Sequence, residues 1–172
     1  MFGSSRVTQE SPEGLLAYAT GAALAQAGYA VISGGYEGIM EAVSRGAAQA
    51  GGHVIGVGSV AIERMRGVQT NPWVSEMVPF DSLHDRMMYL VLKSDAYIVL
   101  PGGLGTLAEL AVAWELVRVG DVPPRPLLCI GDYWSDVLGK MRGSPYMVTE
   151  DWSPLEVVAD LPQAITLLKE RI

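Results

Sequence analysis

A doubly wound α/β fold, in which a parallel β-sheet is covered by helices on both faces, is predicted by two features of the sequence. Helical and strand-like segments alternate strictly along the chain, the order that generates parallel βαβ units. The strand segments YAVIS, HVIGV, AYIVL and PLLCI are continuously apolar and do not alternate, which marks a sheet buried on both sides. A Rossmann-like architecture follows. The 172 residues suit one domain, residues 1–172, and no repeat, linker or low-complexity tract divides it.

The elements follow in order. MFGSS reads as the tail of a first strand. Residues 13–28 form an alanine- and leucine-rich helix that Gly28 stops. A strand at 29–33 leads through GGYEG, 34–38, into a second helix over 39–52, and the next strand is 53–57. Residues 58–80, punctuated by Pro72 and Pro79, read as irregular, with a short extended piece at VSEMV. Ser82 caps a third helix through Ser-Leu-His-Asp, and that helix reaches about Ser94. Then come a strand at 96–100, a glycine loop, a helix over 105–119 and a strand at 126–130. A helix begins in DYWSDVLGKM, and LEVVAD and LPQAITLLKERI supply a last strand and helix.

Composition narrows the function classes. Hydrophobic residues make up 49% and charged ones 18%, which excludes a disordered chain. The net charge of −7 and the scatter of the arginines leave no basic stripe, so no nucleic-acid partner is expected. No apolar run approaches the roughly 18 residues that span a bilayer. The start, MFGSSRVTQESPEG, has no basic and apolar leader, so no membrane partner is expected and the location is expected to be cytoplasmic. Cys129 is the single cysteine and His53 and His84 are the two histidines, so neither a disulfide nor a metal site is expected.

Three strand-end junctions carry the candidate chemistry: Gly3-Ser4-Ser5, Ser33-Gly34-Gly35 with Gly38, and Gly102-Gly103-Leu104-Gly105-Thr106. In an open parallel sheet, ligands bind outside the carboxyl ends of the strands. Glycines let an anion approach backbone N–H groups, the following helix points its positive end there, and Thr106 adds a hydroxyl donor. That set suits a phosphate, although a tight structural turn accounts for the glycines equally well. The loop lacks a P-loop lysine, and no G-x-G-x-x-G follows the first strand, so ATP or NAD binding is not supported and no cofactor is expected. Thr106-Leu107-Ala108-Glu109 also fits a capping box. With Leu107, Leu110, Ala111 and Trp114 as the sheet-facing stripe, Glu109 lies off that stripe and needs no burial. Arg86 falls at the edge of the apolar face made by Leu83, Met87 and Leu90, from which a long side chain can cross into a neighbouring cleft.

The segment from Arg86 to Glu109, with its SDAYIVLPGGLGTLAEL, resembles the Lonely Guy (LOG) family and its "possible lysine decarboxylase" relatives, whose hallmark is P-G-G-x-G-T-x-x-E. Pro101, Gly102, Gly103, Gly105, Thr106 and Glu109 fill every fixed position. Gly3-Ser4-Ser5, Ser33-Gly34-Gly35-x-x-Gly38 and His53–Val57 match the same family in the same order. The resemblance implies a phosphoribohydrolase of the cytokinin-activating type, which hydrolyses a nucleoside 5′-monophosphate to free base and ribose 5-phosphate. It implies Arg86 and Glu109 as catalytic residues. It implies phosphate or substrate binding by Gly3, Ser4, Ser5, Gly34, Gly35, Gly102, Gly103, Gly105 and Thr106, and a homodimer.

The sequence departs from the family pattern at Ser33 and Glu41, where the family has glycine, and at Met87, where it has lysine. GIMEAVSRGA is closer to a sister group that includes molybdenum-cofactor carrier proteins. A non-catalytic nucleotide or molybdenum-cofactor carrier is therefore the alternative. Lysine decarboxylation is rejected, because that reaction needs pyridoxal phosphate on a lysine and none of Lys93, Lys140 and Lys169 is placed for it.

Overall fold

The computed structural model describes residues 1–172, the side chain of Arg66 excepted. Six parallel strands form two three-stranded sheets. The first contains β1 (Val31–Ser33), β2 (Val54–Ser59) and β3 (Glu76–Phe80), in that order, and the second β4 (Tyr97–Val99), β5 (Leu127–Ile130) and β6 (Leu155–Val158). The helices are α1 (Pro12–Gln26), α2 (Ile39–Gln49), α3 (Val60–Arg66), α4 (Leu83–Leu92), α5 (Leu104–Val119), α6 (Asp132–Arg142) and α7 (Leu161–Arg171). Among the described residues no helix is long and apolar enough to cross a membrane.

The two sheets meet at the first residues of the chain. The Met1 nitrogen donates to Ile32 O at 2.8 Å, while Phe2 N donates to Ile98 O at 2.9 Å and Leu100 N to Phe2 O at 3.0 Å. Phe2 thus stands as a one-residue parallel bridge beside Val99 where a central strand would lie. Successive residues of the apolar runs divide between two cores. Ile98, Leu100, Leu128 and Ile130 pack with α1, α2 and α7, whereas Tyr97, Val99, Leu127 and Cys129 pack with α4, α5 and α6. That division is the physical reason the strands read as unbroken hydrophobic stretches.

Local signals set the helix ends. Ser11 Oγ accepts from Gly14 N at 3.1 Å with Pro12 opening α1, and Ser82 Oγ accepts from Asp85 N at 3.0 Å to start α4. Residues 58–80, read as irregular apart from an extended piece at VSEMV, hold α3 as well as β3, and β3 overlaps that piece. Pro79 is accommodated because β3 pairs on one side only, with β2.

α5 overturns two expectations. Gly103 is its N-cap and no side chain caps it, so Thr106 already lies in the first turn and the capping box with Glu109 does not form. The buried stripe is Thr106, Leu110, Ala113, Trp114 and Val117, while Leu107 and Ala111 are exposed. Thr106 is buried beneath Gly102, where a Cβ on the glycine would overlap the threonine hydroxyl. This phase turns Glu109 inward. α4 is rotated likewise: its buried face is Arg86, Leu90 and Val91, and Leu83 is exposed.

Candidate active site

From the bridge at Phe2 the strand order runs outward in opposite directions, through β1 to β3 on one side and β4 to β6 on the other. Loops leaving the strand ends at such a reversal diverge and leave a crevice. A cavity of about 560 Å³ opens there. Its polar lining comes from Gly3, Ser4, Ser5 and Arg6, from Gly103 to Thr106 at the start of α5, and from Arg86 and Glu109. Its apolar lining comes from Met40 on α2, Ile62 and Met65 on α3, and Leu83 and Met87 on α4.

Arg86 and Glu109 both line this cavity and form an ion pair there, with Nη1 3.5 Å from Oε1 and side chains 6% and 15% exposed. Arg86 Nε donates to Val57 O at 2.8 Å, and its guanidinium carbon lies 5.9 Å from the centre of the Tyr36 ring. The arginine is therefore held on three sides, although α4 alone would leave so long a side chain many rotamers. Burial pushes the Glu109 carboxyl above the usual carboxylate range, and the charges of Arg86 and of the Met1 amino group oppose that shift only in part.

The glycines divide by role. Gly34 lines the cavity, and a Cβ there would overlap Arg86 Nη2, so the missing side chain is the space the guanidinium occupies. Gly35 and Gly102, expected to contact the ligand, do not line the cavity. Gly35 sits at φ +76° and shapes the turn, donating its N–H to Ser33 Oγ at 3.2 Å and accepting from Asn71 N at 2.9 Å. Gly102 packs over Thr106, accepts from the Tyr133 hydroxyl at 2.6 Å, and borders a shallower neighbouring pocket instead.

Some lining residues were not singled out from the sequence. Tyr36 is 3% exposed; its hydroxyl accepts from Ser59 N at 2.6 Å and donates to Glu63 Oε1 at 3.0 Å, tying the cavity wall to α3. Ile62 and Met65 enter through that helix. The composition VAIERMR was the available signal for α3, obscured by the prolines that follow it. A second, apolar groove of about 500 Å³ lies between α5 and α6, lined by Leu107, Ala111, Trp114, Met141, Tyr146 and Met147, away from every candidate site residue.

A family model described as "LDcluster4: SLOG cluster4 family" matches residues 1–119, which hold every polar residue of the cavity. The chain is 34% identical over 110 residues to a cytokinin riboside 5′-monophosphate phosphoribohydrolase, LOG5, of Arabidopsis thaliana, covering 63% of this chain and 47% of that protein. It is 36% identical over 142 residues to a second Arabidopsis thaliana protein of that description, LOG4, covering 81% of this chain and 65% of that one. The chain thus spans about half the length of the first of these plant relatives. Among solved structures, the molybdenum cofactor binding protein of Rippkaea orientalis superimposes with a TM-score of 0.72 at 24% identity, covering 96% of this chain and 90% of that one. The molybdenum cofactor carrier protein of Chlamydomonas reinhardtii gives 0.69 at 21% identity, covering 98% and 91%. Both establish the fold as Rossmann-like, as the strand pattern led one to expect.

Proposed function

The chain belongs to the SLOG cluster4 family, and on that footing we propose that it hydrolyses the N-glycosidic bond of a nucleoside 5′-monophosphate, releasing the base and ribose 5-phosphate. The observation that carries this reading is a buried carboxylate, Glu109, in the same cavity as the uncapped N-terminus of α5. The names of the plant relatives favour the same chemistry.

The monoester would rest on the free N–H groups at Gly103, Leu104 and Gly105, where α5 presents about half a positive charge. Glu109 sits one and a half turns along that helix, within reach of the ribose. The C1′–N bond breaks with its electron pair leaving on the base, so positive charge develops at C1′. The Glu109 carboxylate would stabilise that charge and orient the water whose oxygen bonds to C1′. The departing base gains a proton from the water. Arg86 would keep the carboxylate ionised in a site whose burial resists ionisation.

The test is free base released from AMP and from other purine and pyrimidine monophosphates. Glu109→Gln should lower release by about 100-fold or more, the scale on which a preorganised charge acts in a transition state. Wild-type protein at high concentration that releases no base from any monophosphate would end this reading.

Binding without turnover is the second reading, favoured by the apolar lining of Met40, Ile62, Met65, Leu83 and Met87, which suits a heterocycle held by contact alone. It predicts ligand-dependent thermal stabilisation and no product. We also propose a homodimer through the exposed apolar side of α5. Leu104 and Leu107 are 83% and 39% exposed there, Tyr146 is 90% exposed across the groove, and Leu104 also lines the cavity rim.

A further inference from the structure

Building on the monophosphate reading above, we propose that Arg6 is the residue that neutralises the substrate's phosphate and so discriminates nucleotide from nucleoside. A phosphate monoester carries close to two negative charges at neutral pH. The start of α5 offers about half a positive charge and the neutral hydroxyl of Thr106, and burial pulls the pKa of the Met1 amino group at the same cavity down to about 6, so most of the phosphate charge is left unmatched at neutral pH. Arg86 does not fill the deficit, because it already faces Glu109 at 3.5 Å and gives its Nε to Val57 O.

Arg6 lines the same cavity and is exposed, and among the described residues no carboxylate lies within 4.0 Å of its guanidinium. It is the one unpaired cationic side chain among the described residues that line the cavity. Binding a phosphate therefore breaks no ion pair of this side chain among the described residues.

The backbone that carries Arg6 is fixed against the glycine junction. Arg6 N donates to Ser4 Oγ at 3.1 Å, Ser4 N donates to Pro101 O at 3.1 Å, and Ser4 O accepts from Ile39 N at 2.9 Å. The loop is thus tied to the turn that opens α5 and to the first residue of α2, while its charged side chain stays free to reach the ligand. A neighbouring pocket of about 450 Å³, which Arg6 also borders, is lined in part by Glu13. A phosphate chain longer than one unit would meet that carboxylate there, so the arrangement favours a monophosphate over a diphosphate.

Calorimetric titration with AMP, ADP and adenosine of proteins that carry wild-type Arg6, Arg6→Gln or Arg6→Lys, each in a Glu109→Gln background that suppresses turnover, decides the matter. Arg6→Gln should weaken AMP about tenfold or more, the scale of a charge-assisted hydrogen bond to phosphate. Adenosine affinity and the melting temperature should not change, Arg6→Lys should recover most of the loss, and ADP should bind the Arg6 protein more weakly than AMP does. Equal AMP affinity in the Arg6 and Arg6→Gln proteins would overturn the role of Arg6 while leaving the monophosphate reading intact. An Arg6 protein that binds adenosine as tightly as AMP would overturn both.

Discussion

Glu109 is a carboxylate that the protein makes hard to ionise. Burial raises its proton affinity above that of a free glutamate, and Arg86 recovers only part of the difference. If the ionised form supports bond cleavage, base release must rise as pH climbs through a value higher than the ordinary glutamate range and flatten above it. A pH–rate profile of base release from AMP checks this; an inflection at or below the free-glutamate value would contradict the buried setting. Arg86→Gln should shift that inflection further upward, because it removes the charge that opposes protonation while leaving the burial. This pairing was only half legible in the sequence. The family motif brings Arg86 and Glu109 together, but the residues alone fit Glu109 to a capping box and do not require its burial.

The reason lies in the phase of α5. Two stripes on this helix are both apolar: Leu107, Leu110, Ala111 and Trp114 on one reading, and Thr106, Leu110, Ala113, Trp114 and Val117 on the other. Hydrophobicity cannot choose between them. The choice is made by packing, since Thr106 is drawn beneath Gly102 and Ala113 lies at 0% exposure against the sheet. α3 was hidden for a different reason: at seven residues it is too short for its pattern to outweigh the nearby prolines. At β1 the turn glycines were legible but their division of labour was not, because steric room for Arg86 is invisible without its neighbour. Gly34→Ala should force the guanidinium aside and cut base release by about 100-fold, as small misplacements of a reacting group do. The accompanying stability loss should be about 1–3 kcal/mol by denaturant unfolding, the usual scale of overpacking. Activity within twofold of wild type would show that Arg86 tolerates the shift.

Across the whole molecule, the sheet class was readable because unbroken apolar strands have one economical solution, burial on both faces, and the two cores on opposite sides of the sheet bear this out. The groove between α5 and α6 was not readable, since Leu107 and Ala111 were assigned inward. Its exposed apolar rim underlies the homodimer proposal. Light scattering should give twice the 18.4 kDa chain mass, and Leu107→Glu should return the monomer value. A wild-type mass of one chain would remove the proposal. The six strands are not one continuous ladder: the halves are stitched together by a few backbone bonds at Met1 and Phe2. A nucleotide lodged at the crevice, as proposed, would touch loops that belong to both halves, so its arrival would act as a rivet across the seam. Occupancy would then stiffen the middle of the sheet first and leave β3 and β6, at the outer margins, nearly indifferent.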